Sequence, residues 1–473
     1  MRYINSKRIM IAAPGSQSGK TTVTCALLEV LKNRGLNPLS YKVGPDYIDP
    51  MFHKRVLGID SRNLDTYFSG DTGIKESISE AGDRYNVIEG VMGLYDGIDV
   101  SGTRGSSYEV AKLTRTPIIL AVDASGVGRT IISVIKGILL DDTDNLIKGV
   151  ILNKITASFF EKLRPVMEQE LAQIRSDIKV LGFFPKTKGL GIESRHLGLK
   201  LPDEIEGIRE KITLAADLLE KNVDIPDVIS IMEDVESTDV SYTSSLAINP
   251  DENSDLTLSV AYDDAFCFYY KENLELFEKS GVNLKFFSPL SDKQLPECDG
   301  ILLGGGYPEN YLSQLSVNKT MLASIREAID KGVPSLAECG GFMYLHKSII
   351  DMDGNAYEMV GSVDGQCYNE GHLVRFGYMR VESVNPDTED SQKKDILSDS
   401  LVGMKGHEFH YYDSSTSGES FIVCKPNKDK VWNAFITQSN GIWGFPHLYY
   451  NSNPKFIQRF IKRMKEVKNG EFQ

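Results

Sequence analysis

The chain is poor in basic residues: its 473 residues carry 52 Lys and Arg against 66 Asp and Glu, a formal net charge of -14. A protein that grips nucleic acid irrespective of sequence needs the opposite balance, because its affinity comes from neutralising phosphates. Nucleic acid is therefore not expected as a partner. An anionic small molecule would need local Arg and Lys to draw it in against the overall field. Cysteine is scarce and scattered, with six thiols at 25, 267, 298, 339, 367 and 424 and none in C-x-x-C spacing. That speaks against a disulfide framework and against structural zinc. No apolar run reaches the roughly 20 residues that span a bilayer. The opening MRYINSKRIMIAAPG reads as a first strand entering a loop, not as an export signal. The expectation is a soluble, acidic protein of a reducing cytoplasm, without membrane contact.

What is present in quantity is alternation. KRIMIAAP, NPLSYKV, YNVIEGVMG, PIILAVDAS, KGVILNK and IKVLGFF are short runs rich in Ile, Val and Leu, the pattern of strands buried on both faces. Amphipathic segments lie between several of them, such as TTVTCALLEVLKNRG, which closes on Gly35 as a helix stop. Strand and helix repeated in this way predict an α/β, doubly wound parallel sheet over residues 1–225. Residues 226–256 change texture, with eight acidic residues, many Ser and Thr and no Lys or Arg, and read as a linker. From 257 to 473 the alternation restarts with TLSVAYDDAF, VNLKFFSPL, CDGILLGGG and VPSLAEC. GYMRVESV, SFIVCKP and GIWGFPHLYY then follow, so a second, mixed α/β domain is expected. The final PKFIQRFIKRMKEVKNG sets Phe456, Ile457, Phe460, Ile461 and Met464 on one helical face, as a helix packed on a core does.

The stretch AAPGSQSGKTT at 12–22 is a variant phosphate-binding loop: Gly15 stands one step late, while Gly19, Lys20 and Thr21 fit the pattern. A strand precedes it and a helix follows. In that setting the backbone N–H groups of Gly15, Ser16, Gln17, Ser18, Gly19 and Lys20 face an anion, with Thr21 and Thr22 opening the helix. Lys20 would reach the terminal phosphates and Thr21 would bind Mg²⁺. The signature lysine of partition-type ATPases would stand at Gly15 and is absent. The next strand ends in YKVGPDYIDP, placing Lys42 and Asp46 at the carboxyl edge where such sheets bind ligands. The third gives VIEGVMGLYDG. Glu89 follows apolar residues there, and a buried carboxylate requires a partner such as Mg²⁺. Thr21, Asp46 and Glu89 are thus candidates to converge on one ion, with Asp96 and Asp99 just beyond.

In the second half, VPSLAECGGFMYL runs an apolar strand into Cys339 and then into FMYLHKSI, read as an amphipathic helix. This is the layout of a nucleophile elbow with Cys for Ser, and Gly340 permits the strained turn. A thiolate at a helix start is favoured by the dipole, and a nearby imidazole would assist. LLGGGYPE, one strand earlier, offers Gly305 and Gly306 as N–H donors for an oxyanion, together with Gly340. Of seven histidines, His447 in GIWGFPHLYY follows an apolar strand late in the domain, and His407 and His410 in GHEFHYY form a separate motif.

The combination of APGSQSGKT, KVGPDYIDP, EGVMGLYDG, DASGVGRT and SRHLGL resembles the cobyrinate a,c-diamide synthase family over nearly the whole chain. That family joins a P-loop domain similar to dethiobiotin synthetase to a class I glutamine amidotransferase domain. The resemblance implies amidation of the a and c acetate side chains of cobyrinate, or of a related tetrapyrrole, with ATP as co-substrate, Mg²⁺ as cofactor and L-glutamine as nitrogen source. Nickel-sirohydrochlorin and hydrogenobyrinate are alternative substrates, and a regulatory P-loop ATPase is an alternative of another class. Lys20 and Lys42 would then neutralise the transferring phosphate, and Thr21, Asp46 and Glu89 would hold Mg²⁺. Asp46, Tyr47, Ile48 and Asp96 would line the substrate site, and Asn153 would read the nucleotide base. Arg104, Arg129, Arg195 and His196 are the candidate cations for an anionic corrinoid. Cys339 would form a glutamyl thioester, with His447 as its base. Many class I relatives carry Glu two residues after that His; here it is Tyr449, as in the cobinamide-type subgroup, which leaves the ring's orienting partner open. His407 and His410 rank as structural or substrate-side residues.

Overall fold

The computed structural model describes residues 2–4, 6–187, 190, 194–195, 198–199, 205–240, 250–386, 396–438 and 440–471. The chain divides into two compact units, Met1–Ser244 and Ser245–Gln473.

Seven parallel strands form the sheet of the first unit, in the order Ser61–Leu64, Pro38–Val43, Tyr85–Glu89, Lys7–Ala12, Ile118–Asp123, Ile147–Ile155, Lys179–Pro185. The continuous apolar runs of the sequence have a direct cause. Ile9 and Ile11 enter one core and Met10 and Ala12 the other, and Ile119 and Ala121 alternate with Ile118 and Leu120 in the same way. With both faces covered by helices there is no place for a polar alternate, so every second residue is apolar as well. Six of these strands are those that the apolar runs predict. The seventh, Ser61–Leu64, is an edge strand of composition SRNL with only its ends buried, and it carries no hydrophobic signal. Helix Lys20–Asn33 closes as the glycine implies: Gly35 has φ 75° and its N–H is donated to the Lys32 carbonyl.

The segment that composition marks as a linker begins with ordered structure. Helix Ile225–Glu233 buries Ile225, Val228, Ile231 and Met232 in the first unit's core, and Asp224 caps it by accepting the Asp227 N–H at 3.0 Å. Strand Thr238–Val240 then pairs antiparallel with Arg2–Ile4.

The second unit is mixed α/β. Its main sheet runs Asn283–Phe287, Thr257–Ala261, Gly300–Leu303, Ser335–Glu338, Gly441–Gly444, Ile436–Gln438, parallel except for the last pair. A five-stranded antiparallel sheet follows the order Val431–Ala434, Phe421–Cys424, Arg375–Val384, Lys405–His410, His447–Leu448. Helix Pro454–Lys468 buries Phe456, Ile457, Phe460, Ile461 and Met464 in the unit's core. At about 1.5–3 kcal/mol for each large apolar side chain, that face anchors the helix. Among the described residues no helix is long and apolar enough to cross a membrane.

Candidate functional sites

The first site forms where the strands Lys7–Ala12, Pro38–Val43 and Tyr85–Glu89 end. Gly19 adopts φ 87° at the start of helix Lys20–Asn33, a left-handed conformation that lets the loop turn into the helix. A Cβ at Gly19 would lie 2.1 Å from Asn153 Nδ2. Asn153 leaves the strand Ile147–Ile155 and donates to the Ser18 carbonyl at 2.7 Å, latching the loop. Its neighbour Lys154 donates to the Gln17 carbonyl at 3.0 Å and pairs with Asp123 at 2.5 Å. Lys20 donates to the Gly15 and Met92 carbonyls at 3.0 and 2.5 Å. Burial, together with the nearby Lys42, pulls its pKa down to about 8.

Beneath the loop lies a buried charge cluster. Glu89 Oε1 accepts from the Thr21 hydroxyl at 2.6 Å and from Lys42 Nζ at 2.9 Å. Lys42 also donates to Asp49, and Asp46 Oδ2 stands 3.9 Å away. Despite its burial Lys42 is held charged by Asp49 and Glu89. Burial and then Asp49 push Glu89 up to about 8 and Asp46 up to about 6. Fully buried His53 reaches Glu89 Oε2 at 3.6 Å, with its Nδ1 2.8 Å from the Ser40 hydroxyl.

Among the described residues no three His, Cys, Asp or Glu side chains form a ready-made metal cage. Glu89 Oε2 is nevertheless a buried carboxylate oxygen with no hydrogen-bond donor among the described residues, and Thr21 Oγ1 lies against the other oxygen of the same group. Two protein oxygens completed by phosphate and water suit Mg²⁺, which keeps most of its shell for the nucleotide.

The second site belongs to the other unit. Cys339 sits between strand Ser335–Glu338 and helix Gly340–Leu345 with φ 46° and ψ -106°, a strained elbow held by the Cys339 N–H donating to the Gly444 carbonyl at 2.9 Å. The helix after it departs from expectation. It is six residues long and wholly buried, and the chain turns into strand His346–Ile350. So short a helix adds little dipole, and burial pushes the Cys339 thiol well above its usual range. His447 is also buried, which holds its ring neutral. The glycine turn lies against His447 and against Gly340, the residue after the cysteine. A Cβ at Gly305 would lie 2.2 Å from His447 Cε1, and one at Gly340 would lie 3.1 Å from the Gly306 nitrogen. Glu338 is pushed up to about 8 by burial; it accepts from the Tyr450 hydroxyl at 2.7 Å and from the Leu448 N–H.

Both halves of the chain match known protein families. Residues 9–199 match the CobQ/CobB/MinD/ParA nucleotide binding domain, and residues 257–444 match the CobB/CobQ-like glutamine amidotransferase domain. Curated proteins called cobyrinate a,c-diamide synthase are similar from end to end. One from Caldanaerobacter subterraneus is 38% identical over 96% of this chain and 97% of its own length. One from Clostridium tetani is 37% identical over 97% and 100%, and one from Picrophilus torridus 36% over 98% and 100%. The chain belongs to the cobyrinate a,c-diamide synthase family. It is a glutamine-dependent ligase with a nucleotide-binding domain and an amidotransferase domain.

Seen as a member of this family, the chain gathers Lys20, Thr21, Lys42, Asp46 and Glu89 into one cluster. Asp96 is exposed; its carboxylate accepts the Gly93 N–H at 2.8 Å and shapes the turn beside the loop. Tyr47 is half-buried and Ile48 buried at the head of helix Ile48–Arg55. Arg104 is exposed. Arg129, also exposed, pairs with Glu170 at 2.6 Å. The backbone of Arg195 forms part of a two-residue strand, and His196 lies outside the described residues. Sequence reasoning missed Asp49, His53 and Lys154. Asp49 was available inside the GPDYIDP motif, as the carboxylate nearest Lys42 once the helix turns, and His53 follows it by four residues.

Proposed function

We propose that this chain amidates the a and c acetate carboxylates of cobyrinate, forming an acyl phosphate with ATP and drawing ammonia from glutamine. The observation that carries the first half is the buried cluster of Lys42, Glu89 and Thr21 beneath the loop. A carboxylate does not react usefully with ammonia, because oxide or hydroxide would have to leave. Phosphorylation supplies a leaving group, and the protein's part in that transfer is positioning and charge stabilisation. Lys20 and Lys42 face the transferring group as cations, and Asp46 and Asp49 fix Lys42. Thr21 and Glu89 would hold Mg²⁺, which would neutralise charge on the phosphate oxygens.

In the second unit, Cys339 Sγ attacks the side-chain amide carbon of glutamine as its proton passes to His447. His447 returns that proton to the departing nitrogen, so ammonia leaves and a glutamyl thioester remains. The Gly306 and Gly340 N–H groups flank the carbonyl oxygen as charge develops on it. Water then cleaves the thioester, giving glutamate and regenerating the thiol. All six cysteines are free thiols, in keeping with a cytoplasmic enzyme.

Incubating the purified protein with Mg²⁺, ATP, glutamine and, separately, cobyrinate, hydrogenobyrinate or nickel-sirohydrochlorin, and counting amides by mass spectrometry, tests the reading. Two amides on cobyrinate, each with one ADP, are expected. Amidation confined to another macrocycle would move the substrate, and no amidation of any with active glutamine hydrolysis would end the proposal.

A further inference from the structure

A histidine that takes a proton from a thiol and returns it to a leaving nitrogen must present one ring nitrogen in one direction. A carboxylate two residues downstream could do this by hydrogen bonding, but that position is Tyr449, whose ring packs edge-on against Tyr270 at 5.5 Å. The structure places a different device on His447. His407 stands directly opposite it in the antiparallel pairing of Lys405–His410 with His447–Leu448. The two rings stack, with centroids 5.0 Å apart and planes 16° from parallel. At its Cε1 edge the ring meets Gly305, where even a methyl group would come within 2.2 Å of that carbon. The imidazole therefore has an aromatic ring on one face and backbone packed close against its Cε1 edge.

The aromatic ring is itself fixed. His407 Nδ1 lies 3.1 Å from the Tyr270 hydroxyl, and Tyr270 is fully buried. The two strands approach closely, since a Cβ at Gly406 would lie 2.3 Å from the His447 carbonyl oxygen. Burial keeps the His407 ring neutral, down to a pKa of about 3. A neutral ring presents a π-face, not a second positive charge, to His447 while the latter carries the thiol proton.

We propose that His407, anchored by Tyr270, is a positioning residue for the glutaminase reaction, orienting His447 by stacking where a carboxylate would do so by hydrogen bonding. The idea rests on the glutaminase roles of Cys339 and His447. It gives the GHEFHYY motif a task in nitrogen release, not in binding the acid to be amidated. His407 touches neither glutamine nor the reacting sulfur in this scheme; it acts through His447.

Three variants of the full-length protein test it: His407→Leu, which keeps bulk and removes the flat ring, His407→Phe, which restores the ring, and Tyr270→Phe, which removes only the anchoring hydroxyl. Glutamine hydrolysis and ammonia-driven amidation are measured on each. For His407→Leu, glutaminase kcat should fall by about 10- to 100-fold, the range for removing an orienting partner, with KM for glutamine changed by less than about threefold. Ammonia-driven turnover should remain at the wild-type level, which also shows that the protein is folded. His407→Phe should recover most of the lost kcat, and Tyr270→Phe should lose part of it. Full glutaminase activity in His407→Leu, or equal impairment of the Leu and Phe variants, overturns the proposal. Should His407→Leu fail to fold, an unimpaired Tyr270→Phe together with an inactive His407→Phe overturns it as well. A wild-type protein inert toward glutamine would instead sink the glutaminase reading beneath it.

Discussion

Thr21 donates its hydroxyl hydrogen to Glu89 across 2.6 Å, tying the first turn of the nucleotide helix to the end of the strand that pairs with Lys7–Ala12. The same carboxylate oxygen takes Lys42 at 2.9 Å. Replacing Glu89 with Gln keeps an oxygen for Thr21 but removes the carboxyl group that could ionise against Lys42 and a metal ion. ATP-dependent amidation should fall by about 100-fold, the upper range for lost metal-site support. Glutamine hydrolysis should be unchanged. Parallel assays of ADP and glutamate release check this, and ADP release at the wild-type rate would remove Glu89 from the chemistry.

Gly19 and Asn153 form a second, purely steric relationship. Gly19→Ala must displace Asn153 Nδ2 and also hold alanine at φ 87°, a strain of about 1–2 kcal/mol. Nucleotide affinity should drop by at least about tenfold, since 1.4 kcal/mol is a factor of ten. Asn153→Ala removes the obstacle but not the backbone strain. The double variant should therefore bind nucleotide better than the sum of the two single losses predicts, an interaction calorimetry can measure. Strict additivity would mean that the latch is irrelevant to the loop.

Cys339→Ala should abolish glutamine-driven amidation and leave ammonia-driven amidation at the wild-type rate, because the phosphate cluster uses no atom of the elbow. The measurement is product formation with each nitrogen source at saturating ATP. A folded variant that has lost both activities would contradict the division of labour between the units.

How far the sequence spoke depended on what each residue had to satisfy. The central strands were plain because burial on both faces forces apolar residues at every position, as at Ile9 to Ala12. Ser61–Leu64 was silent, since an edge strand is held by backbone hydrogen bonds that leave no side-chain trace. Lys20, Thr21 and Cys339 were legible through the glycines that local geometry demands beside them. FMYLHKSI misled: its apolar residues fit a helical face, but Phe342 to His346 are buried all round and the chain changes to strand at His346, where helical periodicity carries no information. Asp49, His53 and the stacking of His407 on His447 depend on side chains meeting across elements, which a single sequence does not encode locally.

Glu338 gives a prediction with a definite sign. The carboxyl is buried beside Cys339, and burial lifts its pKa from the ordinary 4.5 to about 8, with the Tyr450 hydroxyl only partly offsetting the effect. Between those two values the unfolded chain has released a proton that the folded chain retains, so the folded state binds more protons and stability declines as pH rises. The contribution is fully present below about pH 4.5 and lost as pH passes about 8. Glu338→Gln is nearly isosteric with the protonated acid and cannot ionise. Its stability relative to wild type should therefore climb by a few kcal/mol from about pH 5 to about pH 8 and level off beyond. Glu89, also held near 8, titrates in both proteins and cancels in the difference. Denaturant unfolding of the two proteins across that range measures the effect. A stability difference that stays flat from acid to alkali would show that Glu338 is ionised in the folded protein throughout, and its bond to Tyr450 would then be that of a carboxylate.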